Sequence, residues 1–327
     1  MKQMINTTDY AFDVERYRDE EDAKKFAEKF GCGGFELLPC EGGDENFFTE
    51  RTVEGVHLRY LDEWVDLWHG KLDILEKEYD SLANAREIFG GLDRKCILAR
   101  FEKDLERARR LHVSYVVFHV SDVKVSELFT YTCSHTDEEV IDSAAELINL
   151  LLDQKGYEFD FLMENLWWPG LTMTKPEMTE RLLKQIHYPQ KGIMLDTGHL
   201  MHTNLELKSQ EEAIDYILEK VGEHGALANY IKGIHLNQSL TGDYVKEMLT
   251  KKTVIPGTYQ ERAQACYEHI VHIDRHLPFT TPYVKKLVER IRPEYLTHEL
   301  ITYNREEQEQ KLTLQCGALS MEPSRSW

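Results

Sequence analysis

The stretch Ile193-Met194-Leu195-Asp196-Thr197-Gly198-His199 joins a short apolar run to side chains that commonly bind metals. Three consecutive apolar residues suit a strand that is buried on both faces, as strands are in a parallel sheet. Asp196 and His199 follow where that strand is expected to end. An apolar run that finishes on polar side chains recurs along the whole chain, and this recurrence indicates both the fold and the site.

Eight runs of this kind predict β-strands, and stretches with helical periodicity lie between them. The predicted strands are Met4–Thr7, Phe35–Leu38, Val53–Tyr60, Tyr115–Val120, Phe159–Leu166, Gly192–Gly198, Ile231–Asn237 and Tyr295–Ile301. Sustained strand–helix alternation indicates an α/β protein with a parallel sheet. Eight strands in roughly 300 residues favour a single closed (β/α)8 TIM barrel. A doubly wound dinucleotide-binding sheet is disfavoured, because no Gly-x-Gly-x-x-Gly motif follows the first strand.

Two helices are predicted from their patterns. Thr136-Asp137-Glu138-Glu139 has the form of a capping box, and apolar residues from Ile141 to Leu152 then share one helical face. Tyr283, Leu287 and Ile291 share a face in the same way. We expect residues 1–305 to form the barrel, with a metal site at its C-terminal face, and residues 306–327 to form a C-terminal helix and a frayed tail.

Composition narrows the class of protein. The 327 residues carry 39 Lys and Arg against 58 Asp and Glu, a formal net charge of −19, which lowers the expectation of nucleic acid binding. A hydrophobic content of 42% excludes disorder for the bulk of the chain. No segment reads as a transmembrane helix or a signal peptide. The scattered cysteines have no Cys-x-x-Cys pair, which suggests free thiols and a cytoplasmic location.

Metal-ligating side chains end nearly every strand from the third onward. A lone histidine or carboxylate there is usually a core hydrogen-bonding group or part of a rim salt bridge. When several such side chains meet at one barrel mouth, we expect a metal site instead, because a cluster of carboxylates without cations is costly in free energy. The candidates are His57, His119, Glu164, Asp196, His199, His235, Asp274, His276 and Glu299. Mixed imidazole and carboxylate donors suit zinc, manganese or iron(II), and the absence of cysteine excludes a structural zinc knot.

The chain from about Met4 to Tyr303 resembles the xylose isomerase-like TIM barrels, which include sugar isomerases, sugar epimerases and the family 2 apurinic/apyrimidinic endonucleases (endonuclease IV). The resemblance rests on four segments. These are Met163-Glu164-Asn165-Leu166, Leu195-Asp196-Thr197-Gly198-His199, Gly233-Ile234-His235-Leu236-Asn237 and Asp274-Arg275-His276.

The resemblance implies two alternative designs. In the epimerase design, Glu164, Asp196, His235 and Glu299 hold one divalent ion, Mn²⁺ or Zn²⁺, and the two glutamates are the catalytic acid and base. In the endonuclease design, three zinc ions are held: one by His57, His119 and Glu164, a second by Glu164, Asp196, His235 and Glu299, and a third by His199, Asp274 and His276. One ion is the primary expectation.

The endonuclease pattern is only partly matched. Tyr60 keeps the family's His-x-x-Tyr spacing after His57, but the segments 41–46 and 60–66 are acidic where a phosphate backbone would lie. Leu277-Pro278-Phe279 replaces the Glu-Asn-x-Gly stretch that follows the third group in the endonucleases. Four residues are predicted to contact substrate. These are Tyr60, Trp167, Trp168 and Arg275, although either tryptophan could simply pack between barrel and helix.

These features give a leading hypothesis and an alternative. The leading hypothesis is a divalent-metal-dependent isomerase or epimerase of a sugar, sugar phosphate or similar polyhydroxylated carbonyl compound, which transfers protons through Glu164 and Glu299. The alternative is a zinc phosphodiesterase resembling endonuclease IV. The expected partner is a small polyhydroxylated molecule, with no membrane and no nucleic acid, and a homo-oligomer is compatible with this fold.

Overall fold

The computed structural model describes residues 1–251 and 257–320. Eight parallel strands form a closed barrel in chain order, which confirms the predicted fold. The strands are β1 (Lys2–Thr8), β2 (Gly34–Leu38), β3 (Val53–His57), β4 (Tyr115–His119), β5 (Asp160–Glu164), β6 (Lys191–Asp196), β7 (Ile231–Leu236) and β8 (Tyr295–His298). Their carboxyl ends therefore surround one mouth, where the predicted donors lie.

Each predicted strand overlaps an observed one, but several end earlier than predicted. The strand predicted as Tyr295–Ile301 stops at His298. Beyond it, the backbone N–H of Leu300 donates to the side chain of Asn6 at 3.0 Å rather than to a strand backbone. The residues just past β8 therefore leave the ladder, and Glu299 is free to present its side chain to the barrel mouth.

Helices lie in most of the connections between the strands, and one more follows the last strand. They are α1 (Ala11–Val14), α2 (Glu20–Lys29), α3 (Val65–Trp68), α4 (Leu72–Glu78), α5 (Leu82–Phe89), α6 (Arg94–Arg110), α7 (Asp137–Leu152), α8 (Pro176–Gln185), α9 (Thr197–Met201), α10 (Gln210–Glu223), α11 (Gly242–Lys251), α12 (Tyr259–Ile273), α13 (Lys285–Ile291) and α14 (Arg305–Ser320). None of the helices in the described residues is long and apolar enough to cross a membrane.

Both helix predictions are confirmed, the second with a shorter helix. The hydroxyl of Thr136 accepts from the N–H of Glu139, and the Glu139 carboxylate accepts from the N–H of Thr136, which forms the predicted capping box of α7. The face predicted from Tyr283 to Ile291 is divided, because Tyr283 lies in a 3-10 turn (Pro282–Val284) before α13 begins.

Helix α14 joins the barrel through a buried glutamine. Gln315 donates to the carbonyl of Leu236 at 2.9 Å, and its side-chain oxygen accepts from the N–H of Phe279 at 2.9 Å. The helix therefore links the end of β7 to the segment that follows Asp274 and His276. The predicted frayed tail at residues 321–327 lies outside the described residues, and the division of the chain at residue 305 stays a prediction.

The interior of the barrel has an apolar layer below a polar one. Met4, Tyr115, Val117, Leu162, Met194 and Tyr295 form the apolar layer. Gly55 is required beside this layer, because a Cβ at this position would lie 2.2 Å from the Tyr115 ring. The Tyr115 hydroxyl extends upward and donates to the Glu36 carboxylate at 2.7 Å. A close-packed base thus supports the polar groups of the mouth.

The segments that follow β3 and β4 are held together by a buried histidine between two aspartates. The ring nitrogens of His135 lie 2.8 Å from Asp122 Oδ2 and 3.0 Å from Asp66 Oδ1. Asp122 Oδ1 also accepts from the backbone N–H groups of Trp64 and Val65, at 2.7 and 2.9 Å. This network fixes one wall of the barrel mouth.

The His135 network predicts a pH-dependent contribution to stability. Burial lowers the pKa of His135, but the hydrogen bonds to Asp122 and Asp66 outweigh it and raise the pKa from 6.5 to about 9. A raised folded-state pKa contributes stability below the unfolded value that is lost as pH rises through the folded value. We therefore expect the difference in free energy of unfolding between wild type and His135→Gln, measured by urea denaturation, to shrink between pH 6.5 and about 9.

The matched control is His187→Gln. His187 is an exposed histidine that also pairs with an aspartate, Asp153, at 2.9 Å. An exposed pair contributes little to stability, so its difference from wild type should stay small across this range. A His135→Gln difference that stays constant over the same range would contradict the prediction.

Candidate metal centre

All nine predicted donors lie at the carboxyl end of the barrel, in overlapping groups. In each group, one donor atom from every residue lies within 4.8 Å of the others. The groups are His57, His119 and Glu164; Glu164, Asp196, His235 and Glu299; His199, Asp274 and His276; and His57, His235 and Glu299. The first three match the sets that the sequence resemblance implied.

Glu164 is the centre of the arrangement. It is completely buried at the end of β5, and four imidazoles surround its carboxylate. Its Oε2 lies 3.1 Å from His57 Nε2 and 3.3 Å from His119 Nε2. Its Oε1 lies 3.1 Å from His235 Nδ1 and 3.3 Å from His199 Nδ1. One carboxylate therefore borders all three groups.

The four-donor group is completed by Asp196, His235 and Glu299. His235 Nδ1 lies 3.3 Å from Glu299 Oε2 and 3.9 Å from Asp196 Oδ2. Asp196 is also the N-cap of α9, since its Oδ1 accepts from the N–H of His199. The other oxygen of Asp196 accepts from the side chain of Asn237 at 2.7 Å. Asp196 thus combines helix capping with a place in the donor group.

The third group lies on α9 and on the segment after α12. Asp274 Oδ2 lies 3.3 Å from His199 Nε2 and 2.7 Å from His276 Nε2. His276 Nδ1 is buried without a hydrogen-bond partner. Burying a polar nitrogen without a partner costs free energy, and a neutral imidazole nitrogen is a common metal ligand.

Two supporting residues were missed from the sequence. Glu36, buried in β2, lies 2.9 Å from His235 Nε2 and so turns Nδ1 of that ring toward the four-donor group. His202 Nε2 lies 3.2 Å from Asp274 Oδ1 and orients that carboxylate. Such partners commonly fix the orientation of metal ligands. The sequence signal for Glu36 was a charged residue within the otherwise apolar strand Gly34–Leu38. The signal for His202 was its helical spacing from His199.

Burial and neighbouring charges shift the pKa values of several groups in the cluster. Burial raises the pKa of Glu164, but the imidazoles of His235 and His119 outweigh this and hold it well below its usual range. Burial raises the pKa of Glu299, and the charges of Asp196 and Glu164 keep it raised despite two nearby histidines. Burial lowers the pKa of His119 to about 4. The two glutamates thus differ in proton affinity.

The predicted substrate residues occupy different positions. Tyr60 stacks on His119 with ring centroids 5.2 Å apart, and Trp167 lies 5.2 Å from His199. Trp167 and Trp168 both line the cavity above the donors, and Trp168 also packs in a small hydrophobic cluster. Arg275 is exposed and does not line this cavity, so the structure does not bring it to the donors, and its role in substrate binding stays a prediction. The inward side chains of Asp274 and His276 leave the residue between them directed away.

A cavity of about 710 Å³ lies above the donors. Helix α12 forms one side of it and contributes Tyr259, Cys266, Tyr267 and Ile270. Carboxylates outside the donor groups also line it, including Asp13, Glu41, Asp62 and Glu63. Among the described residues that line the cavity, Arg100 is the one Lys or Arg. The cavity is therefore aromatic and acidic.

The donor set fits divalent metal ions. Imidazole and carboxylate are the preferred ligands of zinc, manganese and iron(II), and the histidines have carboxylate or carbonyl partners of the kind that orient metal ligands. His199 Nδ1, for example, lies 2.9 Å from the carbonyl of Asn165. The identity and number of the ions stay predictions, with Mn²⁺ or Zn²⁺ expected.

Comparisons with known proteins agree with the architecture. A family model described as a xylose isomerase-like TIM barrel matches residues 25–313. A comparison with curated protein sequences gives no match. Three similar solved structures carry the names of enzymes or enzyme-like proteins, and their low sequence identities make them evidence for the fold alone.

The first is endonuclease IV from Thermus thermophilus, with 14% identity, a TM-score of 0.54 and coverage of 98% of this chain and 99% of that one. The second is a D-tagatose 3-epimerase-like protein, with 15% identity, a TM-score of 0.56 and coverage of 98% and 97%. The third is a putative xylose isomerase from Rhodospirillum rubrum, with 13% identity, a TM-score of 0.53 and coverage of 99% and 100%.

The four-donor group predicts bound metal in the purified protein. We expect protein purified without added metal to hold at least one divalent ion per chain, and Asp196→Asn to lower the content by about one ion, because a neutral amide replaces an anionic ligand. Inductively coupled plasma mass spectrometry measures this content. Asp62→Asn, which changes a cavity carboxylate outside the donor groups, should leave it unchanged. Wild-type metal content in Asp196→Asn would exclude the assignment of Asp196.

Proposed function

This chain belongs to the xylose isomerase-like TIM barrel family, and we propose that it is a divalent-metal-dependent isomerase or epimerase of a sugar or a similar polyhydroxylated carbonyl compound. The observation that carries the proposal is the convergence of Glu164 and Glu299 with Asp196 and His235 below a cavity of about 710 Å³. Two carboxyl groups of different proton affinity, held at one metal-binding position, suit proton transfer next to a carbonyl.

The chain's own residues supply the proton transfers. One glutamate takes the proton from the carbon beside the substrate carbonyl, and the other returns a proton to carbon or to oxygen, so the reaction is balanced without a redox partner. A divalent ion, when bound by Glu164, Asp196, His235 and Glu299, supplies Lewis-acid polarisation of the carbonyl. Glu36 keeps His235 oriented, and Tyr60 and Trp167 provide aromatic faces for the apolar side of a sugar ring.

The cavity supports a small substrate without phosphate. A volume of about 710 Å³ exceeds what one sugar needs and lies within the range of small-molecule pockets. Phosphate recognition usually relies on Arg, Lys or a helix N-terminus. Arg100 is the one Lys or Arg among the described lining residues. Within the predicted class of sugars and sugar phosphates, uncharged compounds therefore fit better. A cytoplasmic location and a homo-oligomer stay predictions.

Glu299→Gln tests the two-glutamate scheme. Loss of a positioned acid or base typically lowers turnover by about 10²–10⁴-fold. We expect a loss of this size on the substrate that a panel of aldoses and ketoses identifies, measured on protein loaded with Mn²⁺ or Zn²⁺. Metal content and thermal unfolding, measured in parallel, separate loss of the proton carrier from loss of the ion or of the fold.

The matched control is Glu41→Gln, which alters an exposed glutamate that lines the same cavity but belongs to none of the donor groups. Its turnover should stay close to that of wild type. Near-wild-type turnover in Glu299→Gln would refute the scheme. Failure of the metal-loaded wild type to turn over any member of the panel would count against the whole proposal.

A second candidate is a phosphodiesterase that uses all three donor groups. The observation in its favour is the assembly of His199, Asp274 and His276, and of His57 and His119 beside Glu164, which one ion does not require. The acidic lining opposes it, since it would repel a phosphate backbone. Metal content distinguishes the two designs, because three zinc ions per chain would favour the phosphodiesterase.

Cleavage of a duplex oligonucleotide with one abasic site provides the direct test. We expect no cleavage by the zinc-loaded wild type at low salt, where electrostatic repulsion by the acidic mouth is strongest. An intact duplex of the same sequence is the control for contaminating nucleases. Specific cleavage at the abasic site that is lost in Asp274→Asn would replace the isomerase proposal with the phosphodiesterase.

A further inference from the structure

Glu63 is a buried carboxyl group that the proposed chemistry does not use. It lies between β3 and α3, is 5% exposed and lines the cavity. Neither of its carboxyl oxygens has a hydrogen-bond partner. The hydroxyl of Tyr79 is close enough to influence the pKa of Glu63 but forms no hydrogen bond of proper geometry with it. Buried polar groups rarely lack partners, so a ligand atom is the natural partner here.

The charged groups nearest to Glu63 are engaged elsewhere. Glu78 accepts two hydrogen bonds from Ser126, at 3.0 and 2.9 Å, and Asp122 is bound to His135. Lys124 pairs with Asp66 at 2.7 Å. These three residues and Tyr79 are the groups that act most strongly on Glu63, and none belongs to the nine donors. Glu63 is therefore distinct from the metal centre within the same cavity.

Aromatic rings surround this part of the cavity. The rings of Tyr79 and Tyr259 lie 4.5 Å apart, and the ring of Phe89 lies 5.3 Å from that of Tyr79. All three residues line the cavity together with Glu63. Aromatic faces beside a carboxyl group attract cations through the ring quadrupole as well as through charge. Neutral apolar ligands alone would not need the carboxyl group.

We propose that Glu63, Tyr79, Phe89 and Tyr259 form a subsite that binds a protonated amino group of the substrate. The inference rests on the proposed function, since it assigns an amino-bearing polyhydroxylated carbonyl compound as the substrate class. Of the three charged groups that act most strongly on Glu63, Glu78 and Asp122 are negative and Lys124 is positive, so the surrounding charge favours a cation over a neutral donor. We call these four residues the Glu63 subsite.

Proton affinity supports the assignment. Burial raises the pKa of Glu63 to about 9, and the charges of Glu78 and Asp122 add to the rise. The carboxyl group therefore carries a proton at neutral pH when no cation faces it. An entering ammonium group favours the carboxylate, so the proton leaves to solvent and a charge-assisted hydrogen bond forms.

The test compares two probes that share a benzyl group, one cationic and one uncharged. Benzylamine is protonated at neutral pH and benzyl alcohol is its uncharged analogue. We expect metal-loaded, full-length wild type to bind benzylamine about tenfold more tightly, as a desolvated cation between a carboxylate and aromatic rings should. Ligand-observed NMR titration gives both dissociation constants. Equal affinities for the two probes would overturn the subsite.

Glu63→Gln localises the effect. We expect this variant to bind benzylamine about tenfold more weakly and benzyl alcohol as wild type does, because the amide keeps the volume and removes the charge. Glu41→Gln should keep the preference for benzylamine. Retained preference in Glu63→Gln, or equal loss of both probes, would overturn the proposal. If glutamine prevents folding, judged by thermal unfolding, Glu63→Met fills the same volume without charge.

Different results would refute the proposed function and the Glu63 subsite. The probes are not turned over, so a preference for benzylamine without sugar turnover would refute only the proposed function. Turnover of an uncharged sugar without a preference for benzylamine would refute only the Glu63 subsite.

Discussion

A fully buried carboxylate with imidazoles on both of its oxygens is the constraint on which the arrangement depends. Glu164 cannot stay ionised in the barrel interior without compensating positive charge. Of the four histidines around it, those from β3, α9 and β7 have raised pKa values and supply this charge in the protein without metal, whereas burial lowers the pKa of His119 on β4. Metal ions would supply it in the loaded protein, with the imidazoles neutral. The closed barrel is what brings these four elements within reach of one residue.

The donor residues are held in place by groups in the barrel interior and by helix α14. The apolar layer around Tyr115 holds the Tyr115 hydroxyl against Glu36, and Thr297 donates to the same carboxylate at 2.8 Å. Glu36 in turn fixes His235. Since metal geometry depends on ligand orientation, these packed groups matter to the site although they touch no substrate. Gln315 of α14 extends the support to the segment that carries the third group.

The carboxylates around the barrel mouth help to distinguish an isomerase or epimerase from a phosphodiesterase. The net charge of −19 is not confined to the outer surface, because carboxylates such as Glu41 and Asp62 line the cavity itself. A duplex would bring phosphates toward them, whereas a polyhydroxylated or amino-bearing molecule would find hydrogen-bond acceptors and aromatic faces. The donor groups alone do not distinguish isomerase from hydrolase, but the cavity lining favours small, uncharged or cationic substrates.

The barrel and the nine candidate donors could be predicted from the sequence, because an apolar strand that ends on His, Asp or Glu is a local pattern and parallel strands bring their carboxyl ends together. The residues that orient these donors, and the residues that surround the cavity, could be identified only in the folded chain. Glu36 reads locally as a charge within a strand, and only closure of the barrel places it under His235. Arg275 was predicted to hold a substrate oxygen because it stands between Asp274 and His276, but in the folded chain it is exposed and lies outside the cavity lining. The raised pKa of Glu63 depends on burial and on the charges of Glu78 and Asp122, and its aromatic surroundings include Tyr259 from far along the chain. Only the folded chain assembles these neighbours.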